Sequence, residues 1–371
     1  MTSKLFSPAQ LGQVELANRI VVAPMCQYSA VDGNLTDWHF MHLGQYAVSG
    51  TGLVFVEACG VEPEGRITPG CPGLYNDENE AAMKRIIDFN RDYGNSKLGI
   101  QLAHAGRKAS ANVPWNGGTP LSAEDGAWQT SAPSALPYAD GWHVPTAESI
   151  QGLERIKQAF VQAAKRAVRV GFKVIEIHAA HGYLLHQFLS PLSNQREDDY
   201  GGSLENRLRF PLEIFEAVKG VCPDNVACGI RVSATDWVDG AWSVEDTVEF
   251  GKRLKDLGCD FIDVSSGGNS PLQEITTGPG YQVPFADQIR RETGLATMAV
   301  GMITEPQQAE DILMAEQADF IALARGMLYD PRWTWHAAEA LGAQASFPPQ
   351  YQRCHPSLRG APIPGNPPAP K

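Results

Sequence analysis

The stretch GLERIKQAFVQAAKRAVRVGFKVIEIHAAHGY, residues 152–183, carries two periodicities in succession and decides the fold. From Leu153 the apolar residues Ile156, Phe160, Ala163, Ala164 and Ala167 recur at intervals of three and four, which predicts a helix with one buried face. Gly171 stands where such a helix stops, since the left-handed conformation that ends a helix costs glycine little. A β-rich run, 174–178, begins almost at once. Runs of the same kind, bounded by turn residues, recur at 20–23, 53–57, 98–102, 228–232, 261–265, 296–300 and 320–324. Several are nearly continuous in Val, Ile, Leu and Ala, the pattern of a parallel sheet covered on both faces.

Helical patterns fill the intervals. Ser243 and Asp246 have capping-box spacing, Val244, Val248, Leu254 and Leu257 continue the apolar stripe, and Gly258 closes it. Thr304 with Gln307 opens another helix, with Pro306 in its first turn and Ala309, Ile312 and Leu313 on its buried side. Eight strand-then-helix units predict a single-domain (β/α)8 TIM barrel over about 17–342. A doubly wound open sheet is the alternative, but the pattern shows neither its switch point nor a linker near mid-chain. Residues 5–16 read as a hairpin plugging the barrel bottom. The Pro-, Gly-, Ser- and Trp-rich segment 104–148 reads as a lid, and the Pro-rich stretch from Ser346 in the C-terminal tail 343–371 cannot continue a helix.

Composition narrows the function classes. The 371 residues are 43% apolar and 19% charged, which is globular, and the net charge of −12 repels a nucleic-acid backbone. No nucleic acid or membrane partner is expected. The first residues lack a secretory apolar core, no run reaches the roughly 20 apolar residues of a bilayer span, and seven cysteines include no Cys-x-x-Cys pair, so a reducing, cytoplasmic setting is expected.

Reactive groups of such barrels sit at the C-terminal strand ends. Here those ends carry Cys26 and Tyr28, Cys59, Gln101 with His104, His178, His181 and Tyr183, Arg231, Ser265 and Ser266, Gly301, and Ala324 with Arg325. No facing carboxylate pair is among them, which argues against a glycosidase. His178 and His181 could bind a metal as part of a hydrolase, could be satisfied rim histidines, or could polarise a carbonyl while Tyr183 delivers a proton; no third, anionic ligand is visible. His39-x-x-His42 lies on the helix after the first strand and reads as packing or capping. Gly50-Thr51-Gly52 lacks the third glycine of a dinucleotide fingerprint and precedes a strand. The glycine-flanked ends of strands six to eight, with Arg325, suit a ligand phosphate, and a phosphate-bearing flavin fits; Arg325 could equally be a rim ion pair.

Five segments resemble the old yellow enzyme flavoproteins, in particular the bacterial branch of NADPH dehydrogenases and xenobiotic reductases. They are APMCQYSAVDG at 23–33, PEGRITPG at 63–70, QLAHAGRKAS at 101–110, HAAHGYLLHQFLSP at 178–191 and NQREDDYGGSLENRLRF at 194–210. The resemblance implies an FMN-binding barrel, without a covalent link, that takes hydride from NADPH or NADH and reduces activated alkenes by a ping-pong scheme. It implies that Ala23, Pro24, Met25 and Cys26 bed the flavin and that Ala58 and Gln101 meet its polar edge. Arg231 would flank N1, and Ser265 or Ser266, Gly301, Ala324 and Arg325 would hold the phosphate. His178 and His181 would grip the substrate carbonyl, Tyr183 would donate the proton and Tyr28 would line the pocket. The tail would insert Tyr351 and Arg353 into a neighbouring subunit's site, so a homodimer or homotetramer is expected. Cys26 stands where the larger eukaryotic-type branch has Thr, Ala324 where many members have Gly, and Val300 where one group has Trp. Two other readings compete: a metal-dependent barrel hydrolase using His178 and His181, and a non-turnover flavin redox sensor built around Cys26.

Overall fold

Each of the eight apolar runs is a strand in the computed structural model, which describes residues 3–358. They are β1 Ile20–Val22, β2 Leu53–Gly60, β3 Lys97–Ala103, β4 Val174–Ala179, β5 Ala227–Ser233, β6 Phe261–Ser265, β7 Ala296–Ala299 and β8 Phe320–Leu323. They close into one barrel in the order β6-β7-β8-β1-β2-β3-β4-β5, every neighbouring pair parallel. Closure excludes the open-sheet alternative. In β2 the register with β3 slips between Val56 and Ala58, a bulge that re-aims the end of the strand.

The outer ring is α1 Asp37–Ala47, α2 Asp77–Tyr93, α3 Ile150–Val170, α4 Leu204–Lys219, α5 Val244–Asp256, α6 Val283–Thr293, α7 Pro306–Met314 and α8 Trp333–Ala340. In α3 the Ser149 side chain accepts from the Gly152 N–H, Gly171 caps the far end at φ +113°, and all six apolar residues singled out by spacing are buried. Burying Phe160 fully contributes about 1.5–3 kcal/mol. The Ser243–Asp246 capping box forms at the start of α5. One expectation is corrected. Pro306 takes the first helical position of α7, so Glu305 rather than Thr304 is its N-cap, and the Thr304 N–H goes to Gln308 Oε1 instead.

Alternation along the strands sorts the barrel interior into layers. The lowest contains Val21, Leu53, Phe55, Val174, Phe261, Met298 and Phe320, packed on Leu11, Val14 and Leu16. Those last residues belong to the antiparallel hairpin Ala9–Leu11/Val14–Leu16, which closes the bottom as expected. The next layer up is polar, and the strand ends above it form the site. Segment 104–148 is partly folded: Arg107, Ser110, Ala111 and Ala132 are buried, and Ser131–Ala132 pairs with Thr146–Ala147. The tail makes two short 3-10 turns, Pro349–Cys354 and Pro356–Leu358; its expected course over 359–371 lies outside the described residues. Among the described residues no helix is long and apolar enough to cross a membrane.

Candidate active site

The end of β4 carries the reactive groups because alternation brings His178 inward and the chain then turns sharply. The His178 and His181 rings meet edge-on with centroids 5.2 Å apart, and Tyr183 meets His178 at 5.0 Å. The Ala180 N–H donates to His178 Nδ1 at 3.2 Å, which leaves the ring proton on Nε2. His181 sits at φ +58°, its N–H donates to Ser233 Oγ at 2.9 Å, and its Nε2 lies 2.7 Å from Ser265 Oγ. If the Ser265 hydroxyl donates there, His181 carries its proton on Nδ1. The turn itself is wired from below. The Gly182 N–H donates to His186 Nδ1 at 2.9 Å, and His186 Nε2 faces Asp236 Oδ1 at 3.0 Å in the core. Gly182, at φ +72°, passes so close to Gly268 that a Cβ would lie 2.2 Å from the Gly268 carbonyl oxygen. Only glycine permits that approach.

The electrostatics hold these groups neutral. Burial first, and then Arg231, keeps His178 and His181 well below the usual imidazole range, so both are uncharged donors at neutral pH. Burial raises the Tyr183 phenol well above its ordinary value, and Cys26 and Tyr28 add to the effect. Lys108 closes one side: its Nζ donates to the His181 and Gly268 carbonyls, both at 2.8 Å, and lies over the rings of Tyr138 and Tyr183 at 4.6 and 5.3 Å. Burial, then Arg107, lowers it to about 7. On the opposite rim Tyr28 is at φ +51° and meets Trp115 of the long segment edge-on at 5.8 Å.

Cys26 is partly buried, and desolvation followed by Glu57 pushes its thiol well up. A redox sensor needs the opposite, a low-pKa thiolate. Glu57 projects at the β2 bulge, accepts from the Gln27 N–H at 2.9 Å and faces His39 Nε2 at 3.2 Å. His39 Nδ1 accepts from the Thr36 N–H, so this histidine does cap α1. The metal reading loses support in the same way. His178 Nδ1 and His181 Nε2 are already bonded within the protein, and among the described residues no three His, Cys, Asp or Glu side chains gather around a common point.

Around the ends of β7 and β8 a cavity of 740 Å³ is lined by Val300, Gly301, Ala324, Arg325 and Gly326. Gly301 is at φ +122°, and a Cβ there would press on Gln282 Nε2 at 2.8 Å. Ser266 Oγ donates to Gln282 Oε1 at 2.6 Å, and Gln282 Nε2 donates to the Val300 carbonyl at 2.9 Å. On β5, Arg231 Nε lies 3.1 Å from Asp263 Oδ2 as an ion pair without hydrogen-bond geometry, and among the described residues no acceptor is hydrogen-bonded to the guanidinium. A cation with donors to spare on one side and a glycine-lined cavity beside Arg325 on the other fit a flavin mononucleotide. Ala23 and Ala58 are buried, and Pro24 and Met25 are partly buried between these two ends. Gln101 bonds Glu176 at 2.8 Å. Tyr351 lies elsewhere, edge-on to Trp335 at 6.2 Å and under Arg332, while Arg353 is exposed. Within one chain these two do not join the other site residues.

Several functional neighbours were not singled out from sequence: Ser233, Lys108, Glu57 and the pair Glu176 and Asp263. The last two had a usable signal, since Val174, Glu176 and His178, like Phe261, Asp263 and Ser265, alternate with outward apolar residues.

Comparison with known proteins shows the family. A family profile described as the NADH:flavin oxidoreductase / NADH oxidase family matches residues 4–344. An NADPH dehydrogenase of Listeria innocua serovar 6a is 46% identical over 353 residues, covering 95% of this chain and 99% of that one. An NADPH dehydrogenase of Geobacillus sp. (strain WCH70) is 44% identical over 355 residues, with coverage of 95% and 99%. Among solved structures, morphinone reductase superposes with a TM-score of 0.75 at 28% identity, covering 93% of this chain and 91% of that one. The old yellow enzyme homologue of Zymomonas mobilis gives 0.76 at 25% identity, with coverage of 93% and 94%. With the barrel, the imidazole pair and the cavity beside Arg325 in place, the chain belongs to the NADH:flavin oxidoreductase / NADH oxidase family and is an FMN-dependent NAD(P)H oxidoreductase of the old yellow enzyme type.

Proposed function

We propose that this enzyme is an ene-reductase, reducing the C=C bond of α,β-unsaturated carbonyl or nitro compounds in two half-reactions that share one pocket. The observation that carries the reading is the cluster of two neutral imidazoles and a neutral phenol at the end of β4, with the rings of His181 and Tyr183 5.2 and 5.0 Å from that of His178. Bound FMN would supply the hydride, taken from NADPH or NADH and passed to the β-carbon. His178 Nε2–H and His181 Nδ1–H would donate to the activating oxygen and stabilise the negative charge that grows there. Such donors act most strongly in a site with little water, and Tyr28, Trp115 and Tyr138 crowd the entrance. Tyr183 would place its proton on the α-carbon; a raised pKa keeps that proton on the oxygen until a strong carbon base forms. Arg231 would lie against the N1 edge of the flavin, and Gly301, Arg325 and the Ser266–Gln282 pair would lie at its phosphate. One domain would carry the whole reaction, in the cytoplasm, a setting that suits seven free cysteines.

The test is direct. Protein loaded with FMN should lose its yellow colour on anaerobic addition of NADPH and regain it on addition of cyclohex-2-enone, with cyclohexanone as the product. Colour that stays bleached, or an enone recovered unchanged, contradicts the reading.

A further inference from the structure

Beneath the imidazole pair the barrel interior turns polar. Glu176 of β4, Arg231 of β5 and Asp263 of β6 share one layer with Gln101 of β3, and their exposures are 0%, 7%, 1% and 2%. Arg231 Nε lies 3.1 Å from Asp263 Oδ2, and Gln101 Nε2 donates to Glu176 Oε1 at 2.8 Å. Glu176 Oε2, Arg231 Nε and both Asp263 carboxyl oxygens have no hydrogen-bond partner among the described residues, so Arg231 and Asp263 meet as an ion pair. Two carboxyl groups in such a chamber are costly, and one guanidinium balances only one of them. Asp263 holds the contact with Arg231, whereas Glu176 is met by a neutral amide, so the shared proton belongs on Glu176.

We propose that Asp263 and Glu176 are positioning residues for Arg231: Asp263 anchors the guanidinium, and Glu176 sets how much of its positive charge the bound flavin feels, so that together they tune the reduction potential. The proposal rests on the reading that Arg231 lies beside the flavin.

The groups acting on Glu176 are Asp263 from β6, Arg231 from β5 and Gln101 from β3. Burial first, then Asp263, raises it to about 8, against the pull of Arg231 and the Gln101 bond. Asp263 itself is pushed up by burial and drawn down by Arg231. With Asp263 paired to Arg231 and the proton on Glu176 the trio is neutral, and it carries one negative charge once Glu176 ionises above about 8. Reduction gives the flavin two electrons and one proton and leaves it anionic, which strengthens the hold of Glu176 on its own proton. Near and above pH of about 8 a second proton should enter with each electron pair, onto the Glu176 carboxylate.

The experiment is the midpoint potential of the FMN-loaded full chain against pH. In the wild type the slope should correspond to one proton per electron pair at neutral pH and climb toward two above about 8. Glu176→Gln should stay at one throughout, and Asp263→Asn should move the climb to lower pH, because removing Asp263 takes away the charge that helps hold the proton on Glu176. An unbroken wild-type slope overturns the proposal, and that measurement needs no variant to fold. So does a potential that both substitutions leave unmoved. Arg231→Gln separates this idea from the site reading beneath it. A lowered potential in that variant with inert carboxyl variants overturns the proposal alone; an unchanged potential overturns the flavin placement and the proposal together.

Discussion

Lys108 shows what single residues do in this site. Its ammonium clips two turns from different strands together through the His181 and Gly268 carbonyls, at the cost of being enclosed. The ordinary value of 10.5 applies in the unfolded chain and about 7 in the folded one, so between those pH values the unfolded chain holds the extra proton. The penalty is fully present below about 7 and fades as the pH climbs toward 10.5. Urea unfolding should therefore show the stability of Lys108→Met, relative to wild type, falling across that window; a difference that does not change with pH contradicts this protonation behaviour. Lys108 stands within a motif quoted from the sequence, yet its role was not legible there, because its partner carbonyl at His181 is 73 positions away. His178, His181 and Tyr183 were legible because a strand end of a parallel barrel exposes side chains in a known direction. Glu57, Glu176 and Asp263 were passed over because reading the strands as continuous apolar runs hides a charged residue at an inward position.

At the scale of elements, the turn between β4 and the short helix Leu184–Leu189 carries the most constraint. Four residues in it reverse the chain, orient two rings and pass within contact of the 267–268 turn after β6. Gly182→Ala should push that turn away from Gly268, since backbone oxygen at 2.2 Å cannot be accommodated by a side-chain adjustment. We expect a loss of about 1–3 kcal/mol in stability from the strained conformation, and weaker binding of a phenol such as 4-hydroxybenzaldehyde. Thermal unfolding and a spectral titration measure the two effects. An unaltered midpoint with unaltered binding contradicts the assignment of this turn as the holder of the imidazoles. Strand and helix positions were readable almost throughout, because apolar period and caps act locally. The start of α7 was misplaced by one residue, because Pro306 outranks the Thr304 hydroxyl in setting where that helix begins. The β2 bulge had no local signal; it exists to bring Glu57 toward His39 and the Gln27 backbone.

For the whole molecule, the barrel supplies a fixed cup: a hairpin plug below, a charged middle layer and a neutral hydrogen-bonding rim above. We propose that the protein assembles as a homodimer or homotetramer, in which the tail of one copy supplies Arg353 to the site of another. An apolar hollow of 460 Å³ beside the tail, lined by Phe40, Met41, Phe89, Tyr93 and Tyr351, supports an interface on that side. Light scattering should return a multiple of the 40.2 kDa chain mass, and Arg353→Ala should raise KM for an enone. A monomer at working concentration, or kinetics unmoved by the substitution, contradicts this assembly. The closed barrel was legible from eight repeats of one unit, whereas the shape of segment 104–148 was not, because its order comes from contacts such as Arg107 with the Asn269 carbonyl. The central claim is that His178 and His181 hold the activating oxygen of the alkene. Stopped-flow measurement of the two half-reactions tests it in a His178→Ala/His181→Ala variant: reduction by NADPH should persist, and reoxidation by cyclohex-2-enone should slow by about 100-fold or more. Reoxidation at the wild-type rate would contradict the account.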